Sequence, residues 1–200
     1  MAIGDALLAL LLPGPRHGYD LKRGYDTWFA GLRPLAFGQV YSTLARLQRD
    51  ELVQVAQTES GEGPERTVYE LTVDGRTRAQ AWLSEPLDPN VPGGAPADEL
   101  IRKTLAAYRL TADPAEVMAR QRTAHLRAIR ALESTDGAPA NLSRTVFRDH
   151  QRLHLDADLR WLELAGEHFR RRPIPDPAEL PELSEPEDAT PAEPVEGARP

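Results

Sequence analysis

Hydrogen-bonding side chains lead a segment that otherwise has the leucine spacing of a helix, LAFGQVYSTLARLQRDELV at residues 35–53. Its polar leading side chains are Gln39, Ser42 and Thr43. An amide can pair with a base edge, and a hydroxyl can bond a base or a phosphate. Arg46, one turn further on, is placed to reach a phosphate. These residue types at this spacing predict a surface that contacts nucleic acid.

The apolar residues of the same segment predict how it is held. Val40, Leu44 and Leu47 follow the i, i+4, i+7 spacing of one buried helical face. The polar residues fall on the opposite face, where arginines such as Arg46 and Arg49 are most often simply solvated. Two arginines behind a polar helix start favour phosphate contact over that alternative.

The other predicted elements of the first half give this helix its context. They are helices at 3–12 and 17–29, strands at 52–58 and 66–72, and a helix that starts at 72–74 and ends near 83. The first helix is apolar all round, which predicts that it is buried. Three helices, a two-stranded hairpin and a helix form a winged helix-turn-helix, in which the third helix enters the major groove of DNA.

The second half is predicted to be helical. Residues 85–96 hold four prolines and two glycines and read as a linker, and three helices follow at 97–110, 114–134 and 142–169. The last helix carries two apolar stripes. The first comprises Val146, His150, Leu153, Ala157, Trp161 and Leu164, and the second comprises Leu155, Leu159, Leu162 and Phe169. Two stripes predict packing on two sides, by its own subunit and by the partner in a homodimer.

Charge and composition limit the function further. The net charge of −7 lies wholly in residues 173–200, a Pro-rich acidic tail that is predicted to be disordered, so the rest of the chain is neutral. The absence of cysteine excludes disulfides and thiolate metal sites. The apolar run at residues 6–12 is too short to span a bilayer and lacks a basic flank, which predicts a soluble cytoplasmic protein.

Enzymatic chemistry is not indicated. The sequence has no nucleophile motif, no Gly-rich phosphate loop and no pair of carboxylates with a spacing typical of acid/base catalysis. We therefore expect neither catalysis nor a cofactor. His150 and His154 have the i, i+4 spacing of metal ligands, but no third ligand accompanies them in a motif. A packed or interfacial histidine pair is the preferred interpretation, and no metal is predicted.

Three motifs together resemble the PadR family of bacterial transcription regulators. They are LLALLLPGPRHGYDLKR at 7–23, GQVYSTLARLQRDELV at 38–53 and PERTVYELTVDGR at 64–76, in the family's order and spacing. The resemblance implies an N-terminal winged helix, a helical C-terminal dimerisation region, and binding to operator DNA as a homodimer. It also implies repression in most cases, with release by a small-molecule effector that binds near the dimer interface.

The resemblance assigns roles to individual residues. Tyr19 and Lys22 match positions that approach the DNA backbone, Gln39, Tyr41 and Ser42 match the start of the recognition helix, and Arg66 matches a basic position of the second wing strand. His17 either contacts a phosphate or serves as a turn residue after Pro15. Tyr41 either reaches a base or packs beneath the helix. Trp161 either lines an effector pocket or belongs to ordinary packing.

Three departures from the family pattern matter. Ser42 stands where many members have proline, so base readout at that position does not transfer. Glu51 stands where the family usually has glycine, which requires a non-glycine residue to make the turn before the first wing strand. Glu59, Glu62 and Glu65 place negative charge at the wing tip, which predicts a weak contact with DNA phosphates.

The predicted fold class is mostly α with a small two-stranded β wing. The predicted divisions are a winged helix-turn-helix at 1–84, a linker at 85–96, a helical dimerisation and effector region at 97–172, and the tail. The predicted DNA-binding residues are His17, Tyr19, Lys22, Gln39, Tyr41, Ser42, Thr43, Arg46 and Arg66. The alternative function is a winged-helix module that binds proteins without sequence-specific DNA binding.

Overall fold

The computed structural model describes residues 2–59, 66–89, 97–111, 113–134 and 141–173. The predictions for the wing tip beyond Glu59, for most of the linker and for the tail after Pro173 lie outside the described residues. None of the described helices is both long enough and apolar enough to cross a membrane.

The described chain forms seven helices and three strands. In order they are α1 (Ala2–Leu10), β1 (Arg16–His17), α2 (Gly18–Trp28), α3 (Phe37–Arg49), β2 (Val53–Glu59), β3 (Arg66–Leu71), α4 (Val73–Ser84), α5 (Ala97–Leu110), α6 (Pro114–Ser134) and α7 (Leu142–Arg170). The expected helices are confirmed, with ends within a few residues of those predicted.

Helix α1 is the centre of the hydrophobic core. Residues 6–11 are at most 1% exposed, because α2, α3, α4 and α5 all pack against this helix. Its one acid, Asp5, is buried and accepts a hydrogen bond from the Arg78 guanidinium of α4 at 2.8 Å. Ala106 and Ala107 of α5 belong to the same core. Helix α5 therefore completes the core of the winged helix, and the boundary at 85–96 stays a prediction.

The sheet has three strands, where the sequence predicted two. The strand order is β1-β3-β2 with antiparallel pairing, and the extra strand sets Arg16 against Tyr69 and His17 against Val68. A two-residue strand between Pro15 and a helix is too short to show alternation, so the sequence pattern could not reveal it. This strand ties the start of α2 to the wing.

The turn between α3 and β2 is made by Glu51 in a left-handed conformation with φ +57°. Leu52 N–H donates to the Leu47 carbonyl at 2.9 Å, and Glu51 N–H donates to the Gln48 carbonyl at 3.0 Å. This pair of bonds is the Schellman motif, which usually has glycine at the left-handed position. The prediction that a non-glycine residue makes this turn is confirmed.

Helix α7 buries one of its two apolar stripes. Leu155 and Leu162 are 6% and 3% exposed where α7 packs on α6, whereas Leu153 is 69% exposed. Val146 and Leu164, also from the first stripe, are exposed as well, and so is Phe147 beside it. The second stripe therefore faces the chain's own core, and the first is left on the surface.

Candidate nucleic-acid interface

Helix α3 presents a face of small side chains to solvent. Gly38, Ser42 and Ala45 are exposed and follow one line along the helix that ends at the exposed Arg49, opposite the buried Val40, Leu44 and Leu47. Small side chains on this line let the helix backbone approach another surface closely. Ala36 at the N-cap has no side chain that could accept a hydrogen bond from the first N–H groups of the helix.

Gln39 and Arg46 flank this line on one side. Both are exposed. The Arg46 guanidinium extends toward α1 and lies 3.7 Å from the position that a Cβ on Gly4 would take. Gln39 lies near the leading end of α3 and Arg46 two turns later, and their contacts with a base and a phosphate stay predictions.

Thr43 does not belong to this surface. It is 7% exposed, and its hydroxyl donates a hydrogen bond to the Gln39 carbonyl at 2.7 Å. The Ser42 hydroxyl donates to the same carbonyl at 3.1 Å but remains exposed, so its oxygen can still accept a bond from outside. The expectation that Thr43 contacts DNA is corrected, because Thr43 lies three residues after Val40 and four before Leu47 and so falls beside the buried face of α3.

Tyr41 serves partly as packing and partly as surface. It is 45% exposed, and a Cβ built on Gly18 would lie 2.7 Å from its Cε1 atom. The glycine at the start of α2 therefore makes room for this ring. Burial is the main cause that raises the pKa of Tyr69, and the neighbouring Tyr41 adds to it. The Tyr69 phenol thus remains a neutral hydrogen-bonding group beside Tyr41.

The start of α2 adds an aromatic pair that the sequence analysis missed. Tyr19 stacks on Phe37, the first residue of α3, with ring centroids 5.6 Å apart and planes 16° apart. The Lys22 ammonium lies 5.1 Å from the centre of the Phe37 ring, and the Arg23 guanidinium lies 5.7 Å from that of Tyr19. Two cations thus flank two exposed rings beside the leading end of α3. The cluster forms because α2 and α3 pack against each other, and the spacing of residues within either helix does not show it.

Two further predicted contacts lie at the sheet. His17 is half-buried in β1, next to the first residue of α2. Arg66 is the first residue of β3, and its backbone pairs with that of Glu59. The side chain of Arg66 lies outside the described atoms, and its contact with DNA stays a prediction.

Trp161 and the histidine pair lie on α7, away from this surface. Trp161 borders a groove of about 350 Å³ whose lining residues all belong to α7. A larger cleft of about 510 Å³ lies where α6 and α7 meet Tyr108 of α5. The Nε2 atoms of His150 and His154 are 3.0 Å apart, and within the described ranges no group of three or more potential ligands could hold a metal.

The order of helices and strands, with an exposed third helix and an adjoining sheet, defines a winged helix-turn-helix protein. The transcriptional regulator PadR-like family matches residues 7–81. The matched segment runs from within α1 through α2, α3 and the wing into α4.

Similarity to individual proteins is more distant. The chain is 29% identical over 93 residues to the probable transcriptional regulator Rv1176c of Mycobacterium tuberculosis, and the match covers 46% of this chain and 49% of that protein. The chain thus spans about half the length of this curated relative.

Solved structures resemble the chain over a larger share of its length. Bacillus subtilis PadR in complex with operator DNA is 18% identical with a TM-score of 0.41, and the match covers 80% of this chain and 96% of that one. The Vibrio cholerae virulence activator AphA is 19% identical with a TM-score of 0.35, and the match covers 84% and 96%. TM-scores below 0.5 give these likenesses no weight for function.

Proposed function

We propose that this chain is a PadR-like transcriptional regulator that binds operator DNA as a homodimer. The observation that carries the proposal is the exposed leading end of α3, with its line of small side chains flanked by an amide and a guanidinium. Such a surface can enter the major groove because Gly38, Ser42 and Ala45 carry no bulk along the line that would face the bases. The proposed contact residues are Tyr19, Lys22, Gln39, Tyr41, Ser42, Arg46, His17 and Arg66.

Dimerisation is supported by the outer face of α7. Val146, Phe147 and Leu164 are each more than half exposed, which leaves a row of large apolar side chains without cover in the single chain. Burying such a row against a second copy is favourable by roughly 25 cal/mol per Å² of apolar surface. Two copies would then present two α3 helices to one duplex, which requires an operator of two symmetric half-sites.

The family resemblance adds repression and release by a small molecule to the proposal. The cleft bordered by Tyr108, Met118 and Phe169 has room for a compact ligand at about 510 Å³, whereas the groove beside Trp161 is formed by a single helix. A regulator of this kind acts in the cytoplasm, where bacterial DNA lies.

Binding-site selection from random duplexes tests the proposal. The full chain at about 50 mM salt, where phosphate contacts are strong, should enrich a pseudo-palindrome with half-sites about 10 base pairs apart or a multiple of that. Sedimentation should show two chains per selected duplex. Repression is read from a reporter gene placed behind the selected site.

The alternative predicts a different result. If α3 binds a protein, no sequence is enriched, and binding to the partner changes little with salt. A selected operator bound by a single chain would refute the dimer but retain DNA binding.

A further inference from the structure

An exposed phenylalanine stands where polar side chains are expected. Phe37 is the first residue of α3, and 43% of it is exposed although its ring is one of the largest apolar groups available. Exposure of this kind is unfavourable in water, so a binding partner that covers the ring gains from doing so.

The ring is held in place by its neighbours. Its stacking on Tyr19 and the Lys22 ammonium above it limit its rotation. Lys22 is held in turn by Asp26 at 2.7 Å. A ring that is already ordered loses little conformational freedom on binding, which favours a specific contact over a general apolar one.

The chemistry of the major groove limits what this ring can meet. Base edges there carry hydrogen-bond donors and acceptors, and the C5-methyl group of thymine is the apolar group among them. Phosphates line both sides of the groove, and the Lys22 and Arg23 cations beside the aromatic pair can form ion pairs with them. The apolar ring can therefore contact a thymine methyl group while the cations beside it contact the neighbouring phosphates.

We infer that Phe37, supported by Tyr19, contacts the C5-methyl group of a thymine in each half-site and so determines sequence preference. The inference rests on the proposed function, because it requires α3 to enter DNA. It adds an apolar contact to the hydrogen-bonding readout assigned to Gln39 and Ser42.

Deoxyuridine, which is thymidine without the C5-methyl group, provides the test. Each thymine of the selected operator is replaced in turn by deoxyuridine, and the dissociation constant of the full-length protein is measured. The wild type should lose about fourfold in affinity at one thymine of each half-site, the worth of one buried methyl group. Phe37→Ala should bind the thymine and uracil duplexes equally at that position. Val73→Ala, which changes an exposed apolar residue of α4, should keep the wild-type discrimination.

Each other outcome has a defined meaning. Failure of the selection to enrich any operator refutes the proposed function before Phe37 is tested. Specific operator binding with no response to any uracil overturns the inference alone. So does a Phe37→Ala protein that weakens on every duplex but keeps the uracil response, because the ring then acts only by supporting α3. At the same position, a 5-methylcytosine·guanine pair that binds more tightly than a cytosine·guanine pair would support a contact with the methyl group.

Discussion

The carboxylate of Asp26 accepts a hydrogen bond from the Leu35 N–H at 3.1 Å. The bond joins the last turn of α2 to the residue two positions before α3, and the same carboxylate pairs with Lys22. The Asp26 side chain thereby connects the start and the end of the loop between the two helices. This contact fixes the end of the loop before α3 against the last turn of α2.

Removing this carboxylate should loosen α3. We expect Asp26→Ala to lower the free energy of unfolding by about 1–2 kcal/mol, because a partly buried N–H loses its acceptor. Asp26→Asn keeps an acceptor oxygen and loses only the ion pair with Lys22, so it should stay within about 1 kcal/mol of the wild type. Urea titrations of the three proteins measure the difference. Equal stability of Asp26→Ala and the wild type would show that the bond does not hold the loop.

Gly75 has no room for a side chain. A Cβ at this position would lie 1.8 Å from the carbonyl oxygen of Leu52, so α4 and the turn before β2 would have to separate. We expect Gly75→Ala to destabilise the protein by more than about 2 kcal/mol. Gly31→Ala is the matched control, because nothing lies within 4 Å of its added Cβ. Thermal unfolding of both variants checks the contrast, and similar melting temperatures would contradict it.

Replacing Glu51 by glycine, the residue expected at this turn, should increase the stability of the protein. A left-handed conformation costs a side chain about 1–2 kcal/mol, and glycine avoids that cost while gaining entropy in the unfolded chain. We expect Glu51→Gly to stabilise the protein by up to about 1 kcal/mol. Asp50→Gly, at the neighbouring residue with φ −82°, should destabilise it. Denaturant midpoints report both changes, and a loss of stability in Glu51→Gly would show that its side chain has a favourable contact.

Lys103 makes stability depend on pH. Lys103 lies on α5, and its side chain is buried against the end of α4. There its ammonium donates hydrogen bonds to the carbonyls of Trp82 and Glu85. Burial lowers the pKa of Lys103 from 10.5 to about 8, against the opposing effect of Glu85, Glu99 and Asp5. Between these two values the unfolded chain binds more protons than the folded chain, so this group makes stability rise with pH.

Lys103→Met removes this titration and keeps the length of the side chain. As the pH rises from 8 to 10.5, the free energy of unfolding of the wild type should increase relative to that of Lys103→Met, by a few kcal/mol at most. Urea titrations of both proteins at several pH values within this range measure the difference. Parallel pH profiles would mean that Lys103 has an ordinary pKa.

The sequence predicted most of the fold because its patterns are local. The apolar character of α1 on all sides predicted its burial, and the two stripes of α7 predicted that one side packs within the chain, without indicating which stripe does so. The site was less predictable. Thr43 stands three residues after Val40 and four before Leu47, at the edge of the buried face, and its hydroxyl led to the prediction of an exposed contact. The stack of Phe37 on Tyr19 depends on how α2 and α3 approach each other, which no local pattern records.

The most direct test of the account compares Gln39→Ala and Arg46→Ala on the selected operator and on its single-base variants, over a range of salt concentrations. We expect Gln39→Ala to lose roughly 1–3 kcal/mol of discrimination at one base pair of each half-site. Arg46→Ala should weaken binding to all sequences alike and lower the salt slope by about one. Arg130→Ala, which changes an exposed arginine of α6, should match the wild type. If both α3 variants bind every duplex as the wild type does, α3 is not the element that enters DNA.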